Sequence, residues 1–539
     1  MAGASNFSLP MGNHSFGVTL YRFFAAHWRI VLSVWLLCWV MATWLLSLRW
    51  QQVNDPAQLH YACFLMDHGM SPYRDLIEMN MPGTYLTNWT VMHTLGGGSL
   101  AWRLFDIGLM LVAAWAMLSI ARPHDWFAGA LAATMLIMFH ARDGAMQLGQ
   151  RDLIIAIMLV CAHAFLFRAL RSGSLWPMIG FGLTAGYAAT IKPFPAPYIL
   201  LLLVLAALRF RRSGGAWIRA TLLGAGAMAI PGVVVLVFLV AKHSLADFLW
   251  VVRWTLPYYA PIDRYGWGWL FHRISPSVWG FVLIAALIFV FEWKANDWRL
   301  ARRDEDAQAE IEGWEMRMLA LGMFFGAASY FVQGKGTPYH RYPFFAFLFL
   351  WSILYIVRAL RRQGIERVLA VAGVAFGLIL TPSYARELHH EDWSPRYIDA
   401  LTADLNHLGG PALSGKVQCI TTYPDCHTVL YRMRLVQSTG LFYDFLIFGP
   451  EANPSVQHWR AVFQRQLEAH PPDVFVVHSG LYPYNDGYGY AKLMEWPAFG
   501  RYFEQNYVLY ADRSFPPNIT MNDDYRIYVR KGFESAAGR

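Results

Sequence analysis

The stretch NDPAQLHYACFLMDHGMSPYRDLIEMNMPG, residues 54–83, decides how the rest of the sequence is interpreted. It follows the first strongly apolar run, residues 30–48, and its acids include Asp55, close to a predicted membrane edge, and Asp75 and Glu78, just before Pro82 and Gly83. Acids beside a bilayer are unfavourable unless they are paired, solvated or used for chemistry. We therefore expect this stretch to form a functional loop at a membrane surface.

The composition of the chain is that of a membrane protein. Of its 539 residues, 56% are hydrophobic and only 15% are charged, whereas soluble domains carry about 25% charged residues. The net charge of +8 comes mostly from short connections between apolar runs, where the positive-inside rule places basic residues. Nucleic acid is therefore not an expected partner, and membrane lipid is.

Hydropathy predicts about eleven transmembrane helices, since a span needs roughly 20 apolar residues. The predicted spans are residues 30–48, 101–120, 126–140, 153–168, 175–191, 195–208, 219–241, 277–293, 316–332, 343–360 and 366–382. Residues 84–95 are too short, and too interrupted by Asn88 and His93, to cross the bilayer. We predict that they form an amphipathic helix on the membrane surface.

Basic residues divide the connections into two classes of opposite sidedness. One class is rich in arginine and alternates correctly for a single face, which the positive-inside rule assigns to the cytoplasm. An odd number of spans then places the C-terminal part on the outer face. The predicted organisation is a cytoplasmic N-terminus (1–29), a transmembrane domain (30–382) with a first outer loop (49–100), and an outer-face domain (383–539).

The C-terminal part differs in composition from the rest of the chain. Short apolar segments such as residues 473–478 alternate with helix-like stretches such as 397–408 and 456–469, which predicts a small α/β domain. Cys419 and Cys426 lie in this part. They can form a disulfide if the domain faces an oxidising compartment; the alternative is two unpaired buried thiols.

The outward connections carry cations against the charge bias. These include Lys192, Lys335, His340 and Arg341. Taken singly, each is explained by a solvated or snorkelling side chain. Several of them beside acids indicate a pocket for an anionic group, because ammonium and guanidinium groups neutralise phosphate oxygens.

Several short motifs follow one another along these outward connections. They are Asp55 with Tyr61, PYRD at 72–75, EMNMPG at 78–83, GQRD at 149–152, IKP at 191–193 and KGTPYHRYP at 335–343. In order and sidedness the set resembles the GT-C superfamily of polyprenyl-phosphate-sugar-dependent glycosyltransferases. It is most similar to bacterial members related to protein mannosyltransferases and aminoarabinose transferases. The resemblance covers roughly residues 20–382 and implies a polytopic α-helical fold of that type.

The resemblance implies roles for three carboxylates as catalytic residues. Asp55 matches the general base, or the group that orients the acceptor hydroxyl; the alternative is a helix cap. Glu78 matches a second carboxylate that positions the acceptor or binds a divalent cation, and the alternative is a structural salt bridge. Asp152 or Asp143 completes the acidic cluster, and Asp152 is preferred because it lies in GQRD. Glu78 and Asp152 are thus the candidate ligands if a divalent cation is used.

The remaining candidates are assigned to substrate binding. Arg103 is expected either to pair with an acid of the first loop or to form a purely structural pair. Tyr339 either stacks on a sugar or belongs to an interfacial aromatic belt, which is the favoured interpretation. The full set is Asp75, Arg103, Asp143, Lys192, Lys335, Tyr339, His340 and Arg341, of which Lys192, Lys335, His340 and Arg341 are candidates for the lipid-linked phosphate.

By resemblance, the expected activity is transfer of a sugar from a polyprenyl-phosphate donor to a periplasmic glycan, lipid or protein, with inversion. The expected location is a bacterial inner membrane, with the active site on the periplasmic face. The alternative is a polytopic lipid or sugar transporter or flippase, which should show internal repeats and helices broken near the midplane. The sequence shows no repeat, and its unusual charges gather at one face.

Overall fold

The computed structural model describes residues 14–295, 307–388, 396–480, 482, 489–515 and 524–533. Parts of three predicted regions lie outside these residues: the start of the N-terminus, most of the basic connection at 294–303, and several segments of the C-terminal domain. The described chain is mostly helical, with a small sheet near its C-terminal end.

The N-terminal half alternates long apolar helices with short connections. In chain order the helices are α1 His14–Ser47, α2 Asp55–Asp67, α3 Pro82–Thr94, α4 Ser99–Ala121, α5 Trp126–Asp143, α6 Arg151–Ser172, α7 Pro177–Ile191, α8 Ala196–Arg212 and α9 Trp217–Ala241. Their apolar surfaces form one large core with the later long helices.

The following region contains short helices before the long ones resume. The helices are α10 Leu245–Trp250, α11 Leu256–Tyr259, α12 Trp267–Arg273, α13 Pro276–Ala295, α14 Ala307–Gln333, α15 Tyr342–Ala359 and α16 Ile365–Glu387. A helix therefore covers each of the predicted spans. By length and composition, 6 helices in the described chain can cross a membrane, or 7 if the bent pair Trp267–Arg273 and Pro276–Phe291 is one span. Crossing by the others stays a prediction.

The α7–α9 contact shows why these helices pack closely. Gly182 lies against the Gly224 carbonyl, and Gly186 lies against the Met228 carbonyl; a Cβ atom at either glycine would overlap that oxygen. Without a hydrophobic driving force between helices in lipid, small residues that allow backbones to approach stabilise such contacts.

The first loop, residues 49–100, contains a helix, α2, that the hydropathy pattern did not predict. Pro56 in its first turn lacks the N–H that would be unpaired there, and Asp55 complements the positive end of the helix dipole. Eleven consecutive residues of α2, Pro56–Met66, are buried. Since α2 is buried all round, it has no amphipathic pattern to detect. Helix α3 confirms a helix near residues 84–95, and it packs against α7 and α9.

The C-terminal part is a small α/β unit, as predicted. Its elements are α17 Arg396–Leu408, β1 Val417–Ile420, α18 Asp425–Arg432, α19 Pro454–Ala469, β2 Val474–His478, α20 Pro497–Asn506, β3 Tyr507–Arg513 and β4 Tyr525–Arg530. The sheet has the order β1-β2-β4-β3, with β1 and β2 parallel and the other pairs antiparallel. Residues of α2 share one apolar core with this unit.

Cys419 and Cys426 form a disulfide, with a Cα–Cα distance of 6.1 Å, that joins the end of β1 to the start of α18. This settles the alternative left open by the sequence. Cys38, Cys63 and Cys161 are free.

The disulfide predicts how many cysteines react with an alkylating reagent. Alkylation of the unfolded, unreduced protein should modify three cysteines, and alkylation after reduction should modify all five, as measured by intact mass spectrometry. Cys419→Ser should lower the free energy of unfolding by about 2 kcal/mol, since the closed loop is short. Five modified cysteines before reduction would contradict the assignment.

Candidate active site

The first loop meets α6 through an ion pair. Asp55, the first residue of α2, accepts a hydrogen bond on Oδ2 from the Arg151 guanidinium at 2.6 Å. Arg151 is the first residue of α6. The two side chains keep 18% and 16% of their surface exposed. The pair is therefore accessible to a ligand while being mostly shielded from bulk water.

A second pair lies beside the first. Lys192, which follows α7, donates to Asp152 Oδ2 at 2.6 Å. His340 Nε2 lies 3.4 Å from Lys192 Nζ and 3.9 Å from Asp152 Oδ2, and the ring of Tyr339 lies 5.8 Å from Lys192 Nζ. Burial lowers the pKa of Lys192, and Asp152 opposes that shift.

We call Asp55, Arg151, Asp152, Lys192 and His340 the charged cluster. Four of these residues were predicted from the sequence, and the structure brings them together with the predicted Tyr339. The exception is Arg151, which lies inside the GQRD motif but had no assigned role. Its signal was its position between two candidate acids.

Glu78 is buried among uncharged hydrogen-bond partners. It accepts from the Asn80 backbone amide at 2.6 Å, from the Asn80 side-chain amide and from the Tyr85 hydroxyl. Burial raises the pKa of Glu78, and these donors oppose that shift. These contacts do not support the alternative of a structural salt bridge for Glu78. Asn80 also donates to the Tyr443 hydroxyl oxygen at 3.2 Å.

Arg103 has a structural partner rather than an acid of the first loop. Its guanidinium contacts Asp106, one turn further along α4, and donates to Ser47 Oγ at 2.5 Å. The guanidinium also lies 5.0 Å from the ring of Trp50. Both charged side chains are almost completely buried. Of the two expectations for Arg103, the structure shows the purely structural pair.

Asp106 fixes two segments that carry the charged cluster. It accepts from the Gly149 amide at 2.8 Å and contacts His140 Nε2 at 3.0 Å. His140 Nδ1 lies 2.7 Å from the Tyr342 hydroxyl. Gly149 has φ 55° and a Cβ atom there would overlap the Trp102 indole, so this turn requires glycine. A buried acid inside an apolar helix is a functional signal that the sequence analysis did not use.

Three other predicted residues have partners outside the charged cluster. Asp143 pairs with Arg341 at 2.9 Å, so these two candidates bind each other. Asp75 accepts from the Ser71 amide at 2.7 Å and from Arg74 at 2.8 Å within its own turn. The structure therefore gives Asp75, Asp143 and Arg341 local bonding roles.

The described residues contain no group of three His, Cys, Asp or Glu side chains arranged to hold a metal ion. The two candidate ligands have other partners: Glu78 is bonded by Asn80 and Tyr85, and Asp152 is bonded by Lys192. A divalent cation therefore does not fit this donor set.

Two solved structures have a similar fold. ArnT from Cupriavidus metallidurans, bound to undecaprenyl phosphate, is 15% identical, covers 93% of this chain and 98% of its own, and superposes with a TM-score of 0.54. The apo oligosaccharyltransferase of Archaeoglobus fulgidus is 11% identical, covers 89% and 80%, and has a TM-score of 0.50. Both are GT-C glycosyltransferases. This chain has the GT-C fold. It is a multi-pass membrane protein, and the predicted fold class is confirmed.

No family model matches the sequence, and no curated protein matches it.

Lys335 predicts how the stability of the folded protein depends on pH. Its ammonium donates to the carbonyls of Tyr259, at 3.2 Å, and Ile262, and burial lowers its pKa from 10.5 to about 8. Between these two values the unfolded chain binds more protons than the folded one, so stability rises with pH there. The thermal midpoint of the wild type, relative to Lys335→Met, should therefore rise from pH 8 to pH 10. A constant difference would contradict the shift.

Proposed function

We propose that this chain is an integral membrane glycosyltransferase that moves a sugar from a polyprenyl-phosphate donor to an acceptor on the outer face, with inversion. The observation that carries the proposal is the charged cluster. It places a partly exposed carboxylate, Asp55, next to the cations Arg151 and Lys192, on a fold found in enzymes of that class.

Asp55 is assigned as the general base. Arg151 occupies its Oδ2, so Oδ1 is the oxygen that can take the proton of an acceptor hydroxyl. The acceptor oxygen forms a bond to the anomeric carbon as the bond from that carbon to the phosphate oxygen breaks. The bonding electron pair leaves with the phosphate, and the proton goes to Asp55. Such a single displacement inverts the anomeric centre.

Lys192 and Arg151 are assigned to the donor phosphate, with His340 beside them. Charge on the leaving phosphate oxygen grows in the transition state, and fixed cations in a shielded site stabilise it without reorganising. In the structure Asp152 bonds Lys192 at 2.6 Å. Asp152 therefore keeps Lys192 in position before the donor binds. When the donor binds, its phosphate competes with this carboxylate for the same ammonium group.

An apolar groove of about 400 Å³ suits the lipid tail of the donor. It runs between α3, α4, α7 and α9, and it is lined by Gly83, Phe105, Thr190, Ile230 and Val234 among others. Thr190 is two residues before Lys192. A prenyl chain in this groove would therefore bring its phosphate towards the charged cluster.

The outer location is part of the proposal. The Cys419–Cys426 disulfide supports it, because disulfides persist in oxidising compartments such as the bacterial periplasm. Arginines at the opposite helix ends are paired with acids, as in Arg171–Glu315 and Arg29–Asp125, which suits the cytoplasmic side. We propose the inner membrane, with the domain limits predicted from the sequence.

Replacing the base should abolish transfer. The purified protein is supplied with a panel of radiolabelled undecaprenyl-phosphate sugars and bacterial envelope extract, and release of undecaprenyl phosphate is measured. Asp55→Asn should lower the rate about 100-fold or more. Asp67→Asn, at the other end of α2, is the control; its carboxylate bonds Trp89 at 2.9 Å, and its rate should equal that of the wild type.

Equal rates for Asp55→Asn and wild type would remove Asp55 as the base. If the wild type releases no lipid phosphate from any donor, but moves the labelled lipid between leaflets of proteoliposomes, the chain is a transporter or flippase and the proposed function is wrong.

Replacing the proposed phosphate ligand should weaken lipid binding. Lys192→Met should lower the affinity for undecaprenyl phosphate about tenfold, since a hydrogen bond to a charged group contributes about 1.5–3 kcal/mol. Titration of tryptophan fluorescence measures the affinity. Lys242→Met removes the same charge at the end of α9 and should leave binding unchanged. Equal affinities for both variants would contradict the assignment of Lys192.

A further inference from the structure

The C-terminal unit inserts one segment, residues 440–446 (GLFYDFL), against the first outer loop. The Ile77 amide donates to the Gly440 carbonyl at 2.7 Å, and the Phe442 amide donates to the Ile77 carbonyl at 3.3 Å. The Gln58 side chain of α2 donates to the Phe442 carbonyl at 2.9 Å. These bonds to the backbone fix the segment in register with the loop that carries Asp55 and Glu78.

Gly440 allows the two backbones to approach. A Cβ atom at this position would overlap the Asp75 carbonyl oxygen. Gln466 of α19 bonds both partners, donating to the Asp75 carbonyl at 2.7 Å and accepting from the Gly440 amide at 2.9 Å. The close approach therefore depends on glycine and is maintained by a side chain of the C-terminal unit.

A buried ion pair holds the segment from its other side. Lys492 donates to Asp444 Oδ2 at 2.6 Å, with 3% and 4% of the two side chains exposed. Lys492 also donates to the Gly480 carbonyl at 3.3 Å, and the Thr422 hydroxyl contacts Asp444. The pair anchors Asp444 within the C-terminal unit, and the preceding residue, Tyr443, contacts Asn80 of the first loop.

The Tyr443 hydroxyl lies among the residues of the first loop. The Asn80 side-chain nitrogen has two hydrogens; one bonds Glu78 and the other bonds the Tyr443 oxygen at 3.2 Å. Because Asn80 is the donor, the hydrogen of the Tyr443 phenol is not used in this bond. Burial raises the pKa of Tyr443, and the nearby carboxylates Glu78 and Asp55 add to that shift. The phenol therefore stays protonated near neutral pH and remains a donor.

We propose that Tyr443 is a substrate-positioning residue, supplied by the C-terminal unit, whose phenol donates a hydrogen bond to the hydroxyl-bearing acceptor beside Asp55. The inference rests on the proposed function and extends it to the acceptor. The charged neighbours of Tyr443 are the carboxylates of Glu78 and Asp55 and the Arg151 guanidinium, which Asp55 already pairs. The proposed phosphate ligand Lys192 lies on the side of Asp152 and His340. A neutral hydroxyl compound suits a place between a base and a phenol.

The test uses the full-length protein and separates donor from acceptor effects. Tyr443→Phe removes only the hydroxyl. With the undecaprenyl-phosphate sugar that the wild type consumes, the half-saturating amount of envelope extract should rise about fivefold to tenfold, as expected for one lost hydrogen bond. Affinity for undecaprenyl phosphate should stay within twofold of wild type. Tyr510→Phe, an exposed residue of β3 with 42% of its surface accessible, is the matched control and should change neither value.

Two further variants test how the residue is positioned. Gly440→Ala forces the segment away from Asp75, and the double variant Asp444→Asn with Lys492→Met removes both buried charges without leaving one unpaired. Each should reproduce the acceptor effect of Tyr443→Phe while lipid binding stays unchanged, as measured by the same fluorescence titration. A thermal midpoint close to that of wild type shows that the variant is folded.

The results separate failure of this inference from failure of the proposed function. Wild-type turnover with an unchanged extract dependence for Tyr443→Phe overturns the inference and leaves the proposed function standing. An equal loss of undecaprenyl phosphate binding also overturns it, because Tyr443 would then act on the donor side or on the fold. Absence of turnover by the wild type with every donor overturns the proposed function and this inference together.

Discussion

The ion pair between Asp55 and Arg151 is the contact on which the site depends. Arg151 begins α6, where the helix dipole disfavours a cation. Asp152, the next residue in that turn, and Asp55, at the favourable end of α2, provide the compensating negative charge. Arg151 is unfavourable at this end of α6, and the first loop folded against it supplies one of the two compensating carboxylates. Local disagreement of this kind is characteristic of functional sites.

The loop is held in place from both of its sides. On one side, Asp106 fixes the turn before Arg151 through the Gly149 amide, and Arg151 pairs with Asp55 of the loop. On its other side, α2 shares its core with the C-terminal unit. The Tyr61 hydroxyl donates to the Leu435 carbonyl at 3.0 Å and accepts from the Gln437 amide. The C-terminal unit is therefore part of the scaffold that preorganises the loop. Reacting groups held in position in advance lower the entropic part of a barrier.

Hydropathy alone located every long helix, because a run of apolar residues has few other outcomes in a membrane protein. The charged cluster was largely predictable as well, since its members lie in short motifs on one face. Two features were not predictable. Helix α2 is buried on all sides and lacks a periodic pattern. Tyr443 lies 363 positions from Asn80 along the chain, so no local pattern connects the two residues.

The chemical asymmetry of the site follows from these positions. Towards Lys192, the ammonium group and the Arg151 guanidinium lie beside one buried carboxylate, Asp152, and this side favours a phosphate. Towards Glu78 the contacts are amide and phenol groups, which bond a neutral hydroxyl without opposing a second charge. Asp55 lies where the two sides meet. In the proposed reaction, Asp55 at that boundary takes the proton of the acceptor, and the cations on the other side stabilise the negative charge of the leaving phosphate. Each charge would then develop beside a group of opposite charge.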